Sequence, residues 1–252
     1  MDNEVQDGPF ERYYENGQLE EKGFYKNGGI DGPIERYYEN GQLEEKASYK
    51  DGILDGPIER YYENGQLEEK GFYKDGYFDG TYESYHKNGQ LQFKEVYKNN
   101  FLDGLSESYH KNGKLKLRQA FKNGKVCDGT YNIYYEDGQL WAEETYKDGE
   151  REGRFVVYYK NGQVLEKMFY KDGVVCDGPF YMFYENGKIM EKGFFKNGVL
   201  DGTYERYYEN GQLEKKETYK YGRLDGPYES YNENGQLEFE EIYKNGDKVF
   251  PR

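Results

Sequence analysis

Two histidines, two cysteines and a dense array of carboxylates and lysines are the residues with which this chain could do chemistry. His86 and His110 hold equivalent places in neighbouring copies of a repeated segment. If each copy is a hairpin they stand two strands apart, ~10 Å, and one metal ion with bonds of ~2 Å does not join them. Seven other copies carry Tyr in that column, so the pair reads as a substitution within it. Cys127 and Cys176 each sit in Val-Cys-Asp-Gly, two copies apart. Four strand spacings give ~19 Å, against a ~7 Å limit for a disulfide. Two free thiols are expected, and these favour a reducing compartment. Glu15, Glu39 and Glu63 recur with the turns, so no carboxylate pair stands out as a general acid and base. A Lys column (Lys26, Lys50, Lys74 through Lys244) is expected to pair across strands with residues such as Glu35 and Glu59; its sharper reading is a cationic rail for an anionic ligand. No phosphate loop, dinucleotide fingerprint, zinc motif or nucleophile elbow is present. The chain is expected to be no enzyme and to hold no cofactor, metal or catalytic residue.

The elements that carry these residues are repeats. Copies start at Asp7, Asp31, Asp55, Asp79, Asp103, Asp128, Glu152, Asp177, Asp201 and Asp225, with one extra residue at Cys127 and another at Cys176. A full copy reads D-G-P-F-E-R-Y-Y-E-N-G-Q-L-E-E-K-G-F-Y-K-N-G plus two variable residues. The reading is one repeat domain over residues 1–252. Apolar spacing is not 3.6 and β-favouring aromatics dominate, so each copy is two strands. The expected fold is all-β: an elongated, single-layer antiparallel meander of ten 24-residue hairpins, twisted and curved.

Turn chemistry fixes part of the register. A three-residue Glu15-Asn16-Gly17 loop with a bulge pairs Tyr13 with Leu19. Parity then predicts Tyr25 on the same face. Lys-Asn/Asp-Gly-x-x-Asp-Gly reads as a longer loop into the next copy. Val249-Phe250-Pro251-Arg252 reads as a brief cap.

Aromatics make up 19% of the chain but all hydrophobics only 35%, and mean hydropathy is −1.20. Tyr, with 31 copies, suits a surface half buried and half wet. A net charge of −14 repels phosphate, which argues against nucleic acid and disfavours an anionic membrane. Met1-Asp2-Asn3-Glu4 is no signal peptide, so a cytoplasmic place is favoured, or a surface one if a leader was removed.

The copies resemble MORN repeats, specifically the bacterial variant whose units read Y-Y-E-N-G-Q-L-E-E-K-G-F-Y-K-N-G, over residues 7–246. That resemblance implies a β-hairpin array with a curved, aromatic-lined face and a role in scaffolding and in protein or lipid contact. Some members are antitoxins and others belong to secreted or surface proteins. The usual pattern has denser Gly and uses Trp; Glu, Lys and Tyr stand there in this chain. The family has no catalytic residue to carry over.

Copies six to eight depart from the consensus by exchanging charge for apolar bulk. Glu11-Arg12 becomes Asn132-Ile133, Val156-Val157 and Tyr181-Met182. Glu20 becomes Trp141, Leu165 and Met190, and Met168 replaces a Gly. Side-by-side copies should merge these into one patch: a protein-partner site, a self-association contact or a buried seam. A protein-binding scaffold, antitoxin-like or surface-exposed, is the leading expectation, and a membrane-associated repeat module is the alternative.

Overall fold

The computed structural model describes residues 7–249; the expected cap at Val249-Arg252 lies largely outside them. The described residues are strands and turns without a helix. They divide into two compact units, meeting in sequence at Cys127 and Asp128, and each unit is an antiparallel meander of hairpins.

The first turn of each copy is the expected three-residue loop. Tyr14 N–H donates to the Gln18 carbonyl at 2.8 Å, and Gly17 N–H to the Tyr14 carbonyl at 2.9 Å. Gly17 takes φ +84°, which a side chain would resist. Asn16 Oδ1 accepts the Gln18 amide at 2.9 Å. Tyr13 then pairs with Leu19.

One step further the register shifts again. Arg12 pairs with Glu21, leaving Glu20 unpaired. The same second bulge falls at Glu44, Glu68, Trp141, Leu165, Met190 and Glu214. This corrects the expected parity: Tyr13 and Leu19 share one face, whereas Glu21, Gly23 and Tyr25 lie on the other with Phe10 and Arg12.

The second break is not a long loop. Lys50 pairs with Ile53 across a two-residue turn, with Asp51 at φ +49° and Gly52 at φ +78°. This is the doubly positive turn whose twist suits a hairpin. The next Asp-Gly is a bulge: Ala47 pairs with Ile58 but Tyr49 with Leu54. In several copies it splits the first strand, as in Gly29–Ile30 and Gly32–Tyr37. Five such splits and a short added strand at Asp247–Val249 turn the 20 expected strands into 26 segments among the described residues. The Asp also anchors the turn twenty residues on: Asp128 accepts the Asp148 amide at 2.7 Å and Asp177 the Asn197 amide at 2.6 Å.

Most of the buried apolar side chains of each unit lie on one face. In the first, Ile34, Ala47 and Ile58 are buried, with Phe10, Ile30, Tyr49, Leu54 and Tyr73 packed against them. Gly23 makes room for this: a Cβ there would come within 2.9 Å of the Phe10 ring. In the second unit Ile133, Ala142, Val157 and Phe180 are buried on the corresponding face. Ile34→Ala should cost ~2–5 kcal/mol, whereas Ile53→Ala, at a side chain 54% exposed, should change the melting temperature little. Thermal denaturation of the two variants checks the assignment of faces.

Candidate partner-binding surface

Two rows of charge run across the hairpins, one on each face. On the face opposite the core the register sets Glu11, Lys22, Glu35, Lys46, Glu59 and Lys70 side by side. Lys22 Nζ lies 2.6 Å from Glu35, and Lys70 lies 2.8 Å from Glu83. Tyr37 and Tyr85 donate their hydroxyls to the same two carboxylates. Hydrogen bonds from Lys22 and then Tyr37 hold the Glu35 carboxyl below its usual range, and Lys70 and Tyr85 do so for Glu83.

On the core face the row is Arg12, Glu21, Arg36, Glu45, Arg60, Glu69. Glu21 lies 2.9 Å from both Arg12 and Arg36. Glu45 pairs with Arg36, and with Arg60 at 2.8 Å. Each buried carboxylate in this stretch thus takes a guanidinium from either side, the condition on which burying it is tolerable.

In the second unit this row reads Ile133, Ala142, Val157, Glu166, Met182, Glu191, Arg206. Glu166 keeps its place, but its two neighbours, Arg in the consensus, are Val157 and Met182. It has no ion pair or side-chain hydrogen bond among the described residues, and burial pushes its carboxyl up from the ordinary value. Sequence reasoning missed Glu166. The signal was a Glu retained while both Arg were lost, visible only once the second bulge aligns the three strands.

The bulge residues belong to the core face too. Glu214 Oε2 lies 3.0 Å from Arg206 Nε, an ion pair without hydrogen-bond alignment. Trp141 faces the Tyr135 ring with centroids 6.5 Å apart. Trp141 is 40% exposed, while Leu165, Met168, Met182 and Met190 are half-buried. The nine residues that break the consensus therefore do not form one patch. Ile133, Trp141, Val157, Leu165, Met168, Met182 and Met190 share the core face. Val156 and Tyr181 lie in the opposite row, where Val156 pairs with Glu143 and Lys167, and Tyr181 with Lys167 and Lys192. Ile133 and Val157 are buried and support the core face without presenting a surface, and Val156 is buried on the opposite face.

The remaining candidates are structural. Tyr14 donates its hydroxyl to the Tyr37 carbonyl of the next copy at 2.7 Å, and Tyr38 to that of Tyr61 at 2.6 Å. His86 Nε2 takes the same place against the Tyr109 carbonyl at 3.3 Å. Neither Cys127 nor Cys176 is in a disulfide among the described residues. The strand-end lysines do not pair with Glu35 and Glu59, because Lys22 and Lys46 take those positions. Instead Lys122 lies 2.9 Å from Asp103 and Lys244 lies 2.7 Å from Asp225. Among the described residues no cluster of His, Cys, Asp or Glu fits a metal ion.

The family described as MORN repeat variant matches ten stretches: 6–27, 30–51, 54–75, 78–99, 102–123, 128–148, 151–172, 177–197, 200–221 and 224–245. The chain belongs to the MORN repeat variant family. Its matched stretches each hold the turn, the second bulge and the aromatic columns of one copy. No curated protein matches this MORN chain. Among solved structures it is similar to a TcdB2-TccC3 crystal structure, at 13% identity and TM-score 0.22 over 93% of this chain and 16% of the other. A TcdB2-TccC3-Cdc42 crystal structure shares 11% identity at TM-score 0.20, over 96% and 16%. A Photorhabdus luminescens Tc holotoxin pore shares 11% identity at TM-score 0.21, over 96% and 16%. The chain thus spans about a sixth of those chains, and at such TM-scores the likeness carries no argument.

The two carboxylate environments predict opposite pH behaviour. Glu35 has a lowered folded value, so its contribution is present above the unfolded range of ~4.3 and lost as pH falls through the folded value. Glu166 has a raised value, so its cost is absent in acid and grows as pH rises from the unfolded value through the folded one. Glu35→Gln should lower the melting temperature at neutral pH, and Glu166→Gln should raise it. Both differences should vanish in acid, as melts between about pH 3 and pH 8 would show.

Proposed function

We propose that this MORN-variant chain is a non-enzymatic, protein-binding scaffold whose recognition surface is the core face of copies six to eight. One observation carries the reading. Trp141, Leu165 and Met190 stand in a bulge column that is Glu in copies one to three, nine and ten, and Trp141 remains exposed there. Trp and Met are favoured at interface centres, where large apolar area is gained at low polar cost. The charge rows elsewhere are neutralised internally, as expected of surface that need only stay solvated. The antitoxin and surface roles implied by the family resemblance are both instances of this reading.

The membrane alternative has its own observation: Phe24, Phe72, Phe169 and Phe194 are exposed large aromatics. The net charge of −14 opposes it at an anionic bilayer.

The test is affinity capture from native-source lysate with wild type and a W141E/L165E/M190E variant. Glu is the residue this column carries in five other copies, so the variant should keep its circular dichroism spectrum. The expected result is a protein held by wild type and lost from the folded variant. Unchanged capture would contradict the proposal, as would sedimentation with vesicles that rises with anionic lipid and disappears in salt.

A further inference from the structure

We propose that the core face around Glu166 receives a single arginine side chain from an otherwise apolar segment of a protein partner. This rests on the reading of copies six to eight as a recognition surface, and it names what that surface recognises. The repeats themselves supply the template. Glu21 and Glu45 each sit in the same row between two guanidinium groups. Glu166 sits between Val157 and Met182, where no cation of the described residues pairs with it. Leu165 precedes it in sequence, and Met168, two residues on, shares its face.

A half-buried carboxylate without a counter-ion destabilises the free protein. Restoring the charge from outside would offset that cost in the complex. Trp141, Leu165 and Met190 would meet apolar side chains on either side of the arginine. Arginine suits the place better than lysine, because a planar guanidinium meets a carboxylate through two parallel hydrogen bonds. The arrangement provides selectivity as well as affinity: an acidic segment would set like charges together in an apolar setting.

Selection of a phage-displayed library of random twelve-residue peptides on the full chain tests this. The expected outcome is enrichment of peptides with one arginine inside an apolar stretch, which bind W141E/L165E/M190E poorly. Glu166→Gln should weaken them by about tenfold or more, since a charge-assisted hydrogen bond is lost. Arginine-to-citrulline exchange in the peptide should weaken binding to wild type equally and leave binding to the Glu166→Gln variant unchanged. Peptides that need Trp141 but ignore both Glu166 and arginine would overturn the charge reading while leaving the recognition surface standing. Peptides indifferent to the triple variant, or none at all, would overturn both. Concentration-dependent dimers abolished by the triple variant would assign the face to a second copy and equally overturn the proposal. A fall in melting temperature of the Glu166→Gln variant at neutral pH would show that Glu166 already has a structural partner, with the same consequence.

Discussion

A single unpaired residue, three places after the glycine of each hairpin turn, decides which face every later side chain of that strand occupies. Leu19 still faces with Tyr13, but the bulge at Glu20 sends Glu21, Gly23 and Tyr25 to the other side. Without it the aromatic that closes each copy would leave the face that holds Ile34, Ala47 and Ile58. A single-layer sheet buries little, so moving one ring per copy between faces determines whether a core exists at all.

The same bulge explains how so charged a chain keeps order. It sets Glu21 on the core face between the guanidinium groups of Arg12 and Arg36, while the opposite face keeps a separate alternation of Glu and Lys. Each pair is worth little when exposed. In the consensus copies the more buried carboxylates are the ones held from both sides. Copies are further stitched by Tyr hydroxyls that reach the next hairpin's carbonyls, a bond that His86 reproduces. Against the doubly held Glu21 and Glu45, the loss of both Arg around Glu166 stands out.

Much of this was legible in the sequence. The period, the hairpin content and the Tyr13–Leu19 pairing follow from E-N-G and its ten recurrences. The tight two-residue turn at Asp51-Gly52 was masked by the Asp-Gly that follows four residues after Asp51, which made the segment look like a long loop. The second bulge was not legible, because Glu20 and Glu21 are both Glu and nothing in their type marks one as unpaired. That one omission misplaced Tyr25; Val156 and Tyr181 fall outside the patch by plain alternation along their own strands. The omission also hid Glu166, whose meaning depends on which residues lie across from it.

Removal of the bulge residue itself is the most direct test. Glu44 is skipped in the ladder between Leu43 and Glu45, so Glu44→Ala should leave thermal melting nearly unchanged. Deleting Glu44 should shift Glu45 through Lys50 onto the wrong face, withdraw Ala47 and Tyr49 from the core, and abolish the cooperative transition of the first unit. A deletion that melts like wild type would mean that the bulge does not set the faces, and neither charge row would then owe its place to it.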